Sequence, residues 1–471
     1  MVTFTSRRRE PELVAPVRAT PREIKYLSDI DNQRSLRVYS TIVEFFRGQP
    51  AAADAQVPWR DPIVAIRSAL ARALVHFYPV AGRIRELPPD GRLVVECTAE
   101  GVAFVEADVE VSLKELGEPL QPPYPCVGEL VCDLDDTKAV VGKPLVFFQV
   151  TRFSCGGFAV GVHWCHDMLD GFGICKLMKA VGDLARREPR PTVPPVWERE
   201  MLTSHAPPRD VITQHHLLGY EPLGDATEEE DVMLTTPPAD MVGQYFLFGA
   251  AEISAIRSQV PARLAPYCTA FDLLSAVLWR CRTAALGYRP DQRVRFTFAS
   301  NARRGWKRDP PIPDGFYGCG LVFPVAETTA GELCGNGGLG HAAELVRGAK
   351  LEVDDEYMRA TVEMMARRKW PPLVLERTYV VSDITTIGED AVDFGWGKRV
   401  GGGTPMVCDA INKLLTYFMK CKNANGDECT VVSMYLPREA MERFAAQISG
   451  WSKNLRDAEI LPWLLPGHEK K

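Results

Sequence analysis

Residues 158–184 constrain the fold more than any other stretch. In FAVGVHW (158–164), Phe158, Val160, Val162 and Trp164 alternate with smaller or polar residues, the period-two pattern of a strand with one strongly apolar face. The strand gives way to a turn, CHDMLDG (165–171). Ile174, Leu177, Met178, Val181 and Leu184 then recur at helical spacing and predict an amphipathic helix with Met178 in the core.

The same mixed pattern extends along the chain. Asp61-Pro62 supplies a cap and a first-turn proline, and Ile63, Ile66, Leu70 and Leu74 stripe a helix that Tyr78-Pro79 should end. RLVVEC (92–97), GVAFVEAD (101–108) and PLVFFQVTRF (144–153) carry the branched and aromatic residues of strands. Thr269 and Asp272 form a capping-box pattern ahead of Phe271, Leu274, Leu278 and Ala285. VRFTFAS (294–300), TYVVSDIT (378–385) and CTVVSMYL (429–436) read as strands, and a helix from Pro437 follows with Met441, Phe444 and Ile448 on one face. A chain of 471 residues exceeds what one core usually serves. The proline-dense, charged REPRPTVPPVWERE (187–200) and the acidic run Glu228–Asp231 mark a crossover, the run itself reading as a solvated loop. The expected organisation is therefore a two-domain mixed α/β or α+β protein, with domains at 1–190 and 236–471 and a crossover at 191–235.

A formal charge of -6 argues against nucleic-acid binding, which needs a clustered basic surface. The basic run Arg7-Arg8-Arg9 is closed by Glu10 and reads as a solvated tail near a frayed terminus. MVTFTSRRRE lacks the apolar core of a signal peptide, and no stretch has the ~18 apolar residues of a spanning helix, so no membrane partner is expected. Thirteen cysteines without a secretion signal point to reduced thiols and a cytoplasmic setting.

HWCHDMLDG (163–171) holds the residues that carry chemistry. A zinc site would draw on Cys155, His163, Cys165, His166 and Cys175, but these belong to several elements and the chain has no CxxC knuckle. A thiol nucleophile would need Cys165 beside His166, yet neighbours on a strand point to opposite faces; His163 could reach Cys165 instead. The third reading uses His166 alone, at the end of the strand, as a general base. Asp170 would brace the turn by pairing with an arginine, and Gly171 would allow the chain to bend sharply. His-x-x-x-Asp by itself is common by chance. GNGGLG (335–340) has the letters of a dinucleotide fingerprint without the preceding strand and reads as a surface loop. DFGWGKRVGGG (393–403) reads as a glycine-rich structural turn, since Arg399 follows Lys398 where a phosphate loop wants Ser or Thr.

His166-x-x-x-Asp170-Gly171 followed by Asp393-Phe394-Gly395-Trp396-Gly397 resembles the paired motifs of the BAHD acyltransferases, plant enzymes that move acyl groups from coenzyme A. LSDIDNQ (27–33), DPIVAIRSALARALVHFYPVAGR (61–83), LQPPYPC (120–126), SNARRG (300–305) and PIPDGFYGC (311–319) resemble the branch of benzyl alcohol O-benzoyltransferases and fruit-ester alcohol acyltransferases. The resemblance implies two similar-sized, pseudo-symmetric domains of the chloramphenicol-acetyltransferase-like type around a solvent channel, the first completed by a segment returning near 378–405. It implies His166 as the base that deprotonates an alcohol or amine while it attacks the thioester, with no covalent acyl-enzyme. Asp170 then pairs with Arg303 of Asn301-Ala302-Arg303, and Asp393, Phe394, Gly395 and Gly397 are structural. Trp396 is implied as a donor to the oxyanion, and Ser382, Asp383 and Thr385 as contacts of the CoA moiety. Acyl-CoA is the implied co-substrate of a monomer with no metal and no tightly bound cofactor. An aromatic or phenylpropanoid-like acyl group is expected, with an amide-forming enzyme for a cyclic amine as the alternative. A thioesterase and a non-catalytic binding protein are the remaining rivals.

Three positions depart from the branch pattern. Asp167 follows His166 where Thr is common, and reads as solvated. Cys319 replaces an asparagine after Phe-Tyr-Gly. Thr386 stands where arginine is frequent, near the CoA side.

Overall fold

The computed structural model describes residues 2–48, 61–132, 140–204, 218–223, 231–303, 309–335, 338–406 and 412–451, and the backbone of 453–457. Two large mixed sheets, each covered by helices, organise the chain. In the first, the strand Phe158–Cys165 pairs antiparallel with Val146–Arg152 on one side and Tyr39–Phe46 on the other. Val102–Asp108 continues the sheet parallel to Val146–Arg152, and Arg7–Arg8 and Glu12–Val14 pair with its outer edge. Arg399–Gly403 closes the opposite edge against Tyr39–Phe46.

The second sheet runs in the order Val325–Thr329, Arg293–Phe298, Thr378–Asp383, Leu415–Lys422, Glu428–Pro437, Met241–Phe248, Lys453–Asp457. Thr378–Asp383 lies parallel to both its neighbours. Among the described residues, Arg399–Gly403 is the strand of 378–405 that joins the first sheet, and Thr378–Asp383 lies in the second.

Local chemistry accounts for the helices. Asp61 accepts from the Ile63 amide and Pro62 starts the helix Pro62–His76. Thr269 and Asp272 form the reciprocal capping box of Ala270–Leu286. Pro437 precedes Arg438–Ile448, which buries Met441, Phe444 and Ile448. Gly171–Ala185 packs beside Pro62–His76, and Leu70, Leu74, Leu177 and Val181 join Phe158, Val160 and Val162 in one core. Phe246, Trp279, Phe296 and Phe444 belong to the separate core of the second sheet.

Phe158–Cys165 is buried on both faces, not one. Ala159 packs with Leu113, Leu116, Leu130 and Val131, which cover the second face. A Cβ at Gly161 would lie 2.0 Å from the Leu130 carbonyl oxygen, so small residues at 159 and 161 are what admit this cover.

Several surface expectations are corrected. Arg7 and Arg8 form an edge strand, and Arg8 donates to the Gly128 carbonyl at 2.6 Å, so main-chain pairing orders this run. Asp231, the last residue of the acidic run, is buried; it caps Val232–Thr235 and accepts from the Arg377 amide and the Tyr288 hydroxyl, both at 2.7 Å. Glu228, Glu229 and Glu230 lie outside the described residues. Gly338 and Gly340 open the helix Gly338–Leu351, with Leu339 and Gly340 buried, where a surface loop was expected; 336 and 337 lie outside the described residues.

Candidate active site

His166 stands at the first position beyond the central strand. Its amide donates to the Val38 carbonyl at 2.9 Å, and the Met168 and Leu169 amides fold back onto the Cys165 carbonyl at 3.1 and 3.3 Å. The Trp164 indole reaches forward to the Leu169 carbonyl at 2.9 Å. These bonds make a short, rigid turn from strand to helix.

Asp170 closes the turn as the N-cap of Gly171–Ala185 and accepts from the Gly173 amide at 2.9 Å. Its carboxylate meets the Arg303 guanidinium in a fork, Nη1 to Oδ2 at 2.6 Å and Nη2 to Oδ1 at 3.0 Å. Two charges buried to this degree, 0% and 6% exposed, hold together only with such complete pairing. The Gly320 amide adds a fourth donor to Asp170 at 3.0 Å. Arg303 is itself steered by Asn301, whose Oδ1 accepts from the Arg303 amide at 3.0 Å and from Nη1 at 3.3 Å. The arginine brace implied for Asp170 is thus formed between the two halves of the molecule. Gly171 does not take a left-handed φ, so the turn does not rest on glycine's freedom there. The glycine the fold needs is Gly173, where a Cβ would lie 2.2 Å from the Tyr317 carbonyl oxygen.

A cavity of about 440 Å³ opens beside His166 and takes its walls from both halves. Val38, Ser40, Ile42, Trp164, Gly171 and Phe172 come from the first; Phe271, Phe298, Asn301, Val381 and Tyr417 come from the second. Ser382, Asp383 and Thr386 line it at the end of the Thr378–Asp383 strand. Thr385 supports that wall, its amide and hydroxyl donating to Asp383 Oδ1 at 3.0 and 2.6 Å.

Enclosure by neighbouring groups pushes the His166 imidazole below its ordinary value of 6.5, and Asp170 and its own backbone carbonyl pull partly the other way. The ring is therefore neutral at pH 7, with the surface it exposes on the cavity. Because protonation removes the base, kcat/KM should fall on the acid side, with a midpoint below 6.5. A rate profile between pH 4.5 and 8 checks this, and a midpoint above the ordinary imidazole value would contradict it.

The other members of the crowded stretch separate in space. His163 lies in the sheet, with Thr41 Oγ1 at 2.7 Å from Nδ1 and the Cys132 carbonyl at 2.9 Å from Nε2. Cys165 is buried in the core, and burial pushes its thiol well up, which removes it as a nucleophile. Asp167 is 0% exposed, which corrects the solvated reading. Among the described residues neither of its oxygens has a hydrogen-bond partner, and burial pushes its carboxyl well above the carboxylate range. Burial thus works against a full negative charge beside the imidazole.

DFGWG forms a structural joint. Phe394 is buried against Phe46 and Phe158, with ring centroids 5.1 and 6.2 Å apart. Asp393 is exposed; it accepts from the Gly395 amide at 2.8 Å and meets Arg186, at the end of the 171–185 helix, at 3.5 Å. Gly395 takes a positive φ of 90°, and a Cβ at Gly397 would strike the Arg47 carbonyl oxygen. Trp396 packs against the first core rather than among the residues that line the cavity.

The sequence reading left the roles of two polar segments unassigned. LSDIDNQ contributes buried Asp29 and Asp31, the first bonded to the Trp370 indole at 2.9 Å and the Ser204 amide at 2.7 Å. Arg199, inside the proline-rich crossover, is buried and pairs with Asp31 at 2.7 Å. LSDIDNQ carried a signal as a segment of the branch, whereas Arg199 showed only as one charge in a proline-rich run.

Comparison with known proteins agrees with this architecture. A family model described as the Transferase family matches residues 1–450. Acyl transferase 1 of Oryza sativa subsp. japonica is 51% identical, the match covering 95% of this chain and 96% of that protein. Spermidine hydroxycinnamoyltransferase 1 of the same plant is 45% identical over 91% and 95% of the two chains. Benzyl alcohol O-benzoyltransferase of Nicotiana tabacum is 42% identical over 96% and 95%. Among solved structures, vinorine synthase superposes with a TM-score of 0.69 at 18% identity, covering 97% of this chain and 99% of that one. TRI101 of F. graminearum, complexed with coenzyme A and deoxynivalenol, gives 0.66 at 17% identity over 92% and 99%. The chain belongs to this transferase family, the BAHD acyltransferases, and is an acyltransferase of their mixed α/β fold.

Proposed function

We propose that the protein transfers an aromatic or phenylpropanoid-like acyl group from acyl-CoA to a small alcohol or amine, with His166 as general base. The observation that carries this is a neutral, braced imidazole facing a largely apolar cavity shared by both halves. The free ring nitrogen takes the acceptor's proton as its oxygen or nitrogen bonds to the thioester carbonyl carbon. The tetrahedral intermediate then expels the CoA thiolate, which recovers the proton from the imidazolium. No acyl-enzyme forms. A base supplies ~10²–10⁴-fold, and holding two reactants in one cavity supplies much of the rest.

Ser40, Ser300 and Asn301 are polar groups of the cavity wall that could donate to the developing oxyanion, a contribution of ~3–4 kcal/mol. This reading gives the oxyanion role to the wall, where the resemblance implied Trp396. Ser382 and Asp383, supported by Thr385, would meet the CoA arm, with Thr386 beside them. Coenzyme A in the TRI101 structure supports acyl-CoA as co-substrate. A spermidine hydroxycinnamoyltransferase and a benzyl alcohol O-benzoyltransferase among the relatives support amine and alcohol acceptors alike. Free thiols at all twelve described cysteines fit a cytoplasmic enzyme, and we take it to act as a monomer. Among the described residues no helix is long and apolar enough to cross a membrane.

A panel of acyl-CoAs against mixed alcohols and amines, read by thiol release and product mass, tests the proposal. One ester or amide per thiol released is expected. Thiol release equal with and without acceptors would make the protein a thioesterase instead.

A further inference from the structure

The segment Phe316-Tyr317-Gly318-Cys319-Gly320 runs between two buried guanidinium groups. On one side stands Arg303 with Asp170. On the other stands Arg199 with Asp31, 2% and 0% exposed and 2.7 Å apart. The two pairs are built alike. Asp170 accepts the Gly320 amide at 3.0 Å, and Asp31 accepts the adjacent Cys319 amide at 2.8 Å. The glycines flanking Cys319 make the approach possible: a Cβ at Gly318 would lie 1.5 Å from Arg199 Nη1, and one at Gly320 would lie 3.0 Å from Arg303 Nη1.

Both pairs also reach the turn that carries the base. Asp170 caps the helix that follows it. Arg199 donates to the Met168 carbonyl inside the turn at 2.8 Å. Between the two, the Cys319 thiol donates to the His166 carbonyl at 2.8 Å and its sulfur stands 3.8 Å from His166 Nδ1. Asp31 Oδ2 takes the amide and hydroxyl of Ser28 at 2.8 and 2.6 Å, so the carboxylate is anchored independently of Arg199.

We infer that Asp31 and Arg199 form a second brace for His166, acting through Met168 and Cys319 from the side opposite Asp170 and Arg303. Asp31, Arg199 and Cys319 are positioning residues, and the inference rests on the reading of His166 as the base. The crossover between the halves thereby contributes a residue to the alignment of the active site. A thiol suits the place because its one S–H donates to the His166 carbonyl while its sulfur stands as a weak acceptor for the Nδ1 proton, which leaves the opposite ring nitrogen to the cavity.

Cys319→Ala, Cys319→Ser and Asp31→Asn test this in the full-length enzyme. Cys319→Ala should lower kcat about tenfold, with KM for acyl-CoA within about threefold, because a misplaced base slows the step and not the binding. Cys319→Ser, which restores a donor, should recover a rate within about twofold of the native enzyme. Asp31→Asn should lower kcat about ten- to a hundredfold. Tyr220→Phe removes a 3.2 Å bond to Gln33 on the same segment, away from the turn, and should keep the native kcat. A native kcat in Cys319→Ala overturns the brace, whether or not Asp31→Asn folds. So does a loss in Tyr220→Phe equal to that in Cys319→Ala. If His166→Ala is inactive while Cys319→Ala is native, the second brace fails and the base stands. An active His166→Ala removes the base itself.

Discussion

Alanine at position 166 is expected to lower kcat by about 10²–10⁴-fold while the thermal transition stays in place. The side chain removed borders the cavity and takes no part in the ion pairs that hold the turn. The bonds that residue 166 itself gives to the turn run through its backbone: its amide to Val38 and its carbonyl from Cys319. These survive the substitution. KM for acyl-CoA should change little, because the imidazole acts on the acceptor's proton. Initial rates with circular-dichroism melting on the same preparation separate the two effects. A folded variant with the native rate would remove His166 from the chemistry.

Asn at position 170 is expected to cost about 3–5 kcal/mol of stability as well as activity. The substitution keeps the size of the side chain but leaves the Arg303 guanidinium, 6% exposed, without its countercharge. It also replaces with an amide one of two oxygens that accept from Gly173, Gly320 and both Arg303 nitrogens. Because Asp170 follows the central strand of the first sheet and Arg303 follows the Arg293–Phe298 strand of the second, the loss falls on the joint between halves. Arg303→Ala should resemble it. In denaturant titrations the double variant should lose less than the two single losses combined, since each single change strands a buried charge. Full additivity, or an Asp170→Asn protein with native stability and rate, would contradict the brace.

What could be read in the sequence was whatever depends on neighbours along the chain. The caps at Asp61 and Thr269 and the stripes at 174–184 and 438–448 follow from local periodicity, and the structure contains each. What could not be read depends on distant partners. Gly161 lies on the face of small and polar residues, which looks uncovered until Leu130 presses on it. Asp167 and Asp231 look solvated because carboxylates usually are, yet tertiary packing buries both. Arg199 sits in a proline-rich run whose composition says linker, while its partner Asp31 lies 168 residues earlier. The motif Asp393–Gly397 joins helix 171–185 to strand 39–46, contacts that no spacing in its own sequence reveals.

Direct, base-assisted transfer is tested most squarely by initial rates of thiol release over a matrix of acyl-CoA and acceptor concentrations. Intersecting double-reciprocal lines are predicted, with no thiol released when acceptor is absent, because both substrates must occupy the cavity beside His166 before the bond breaks. Parallel lines with a burst of thiol in the absence of acceptor would reveal an acyl-enzyme and contradict it.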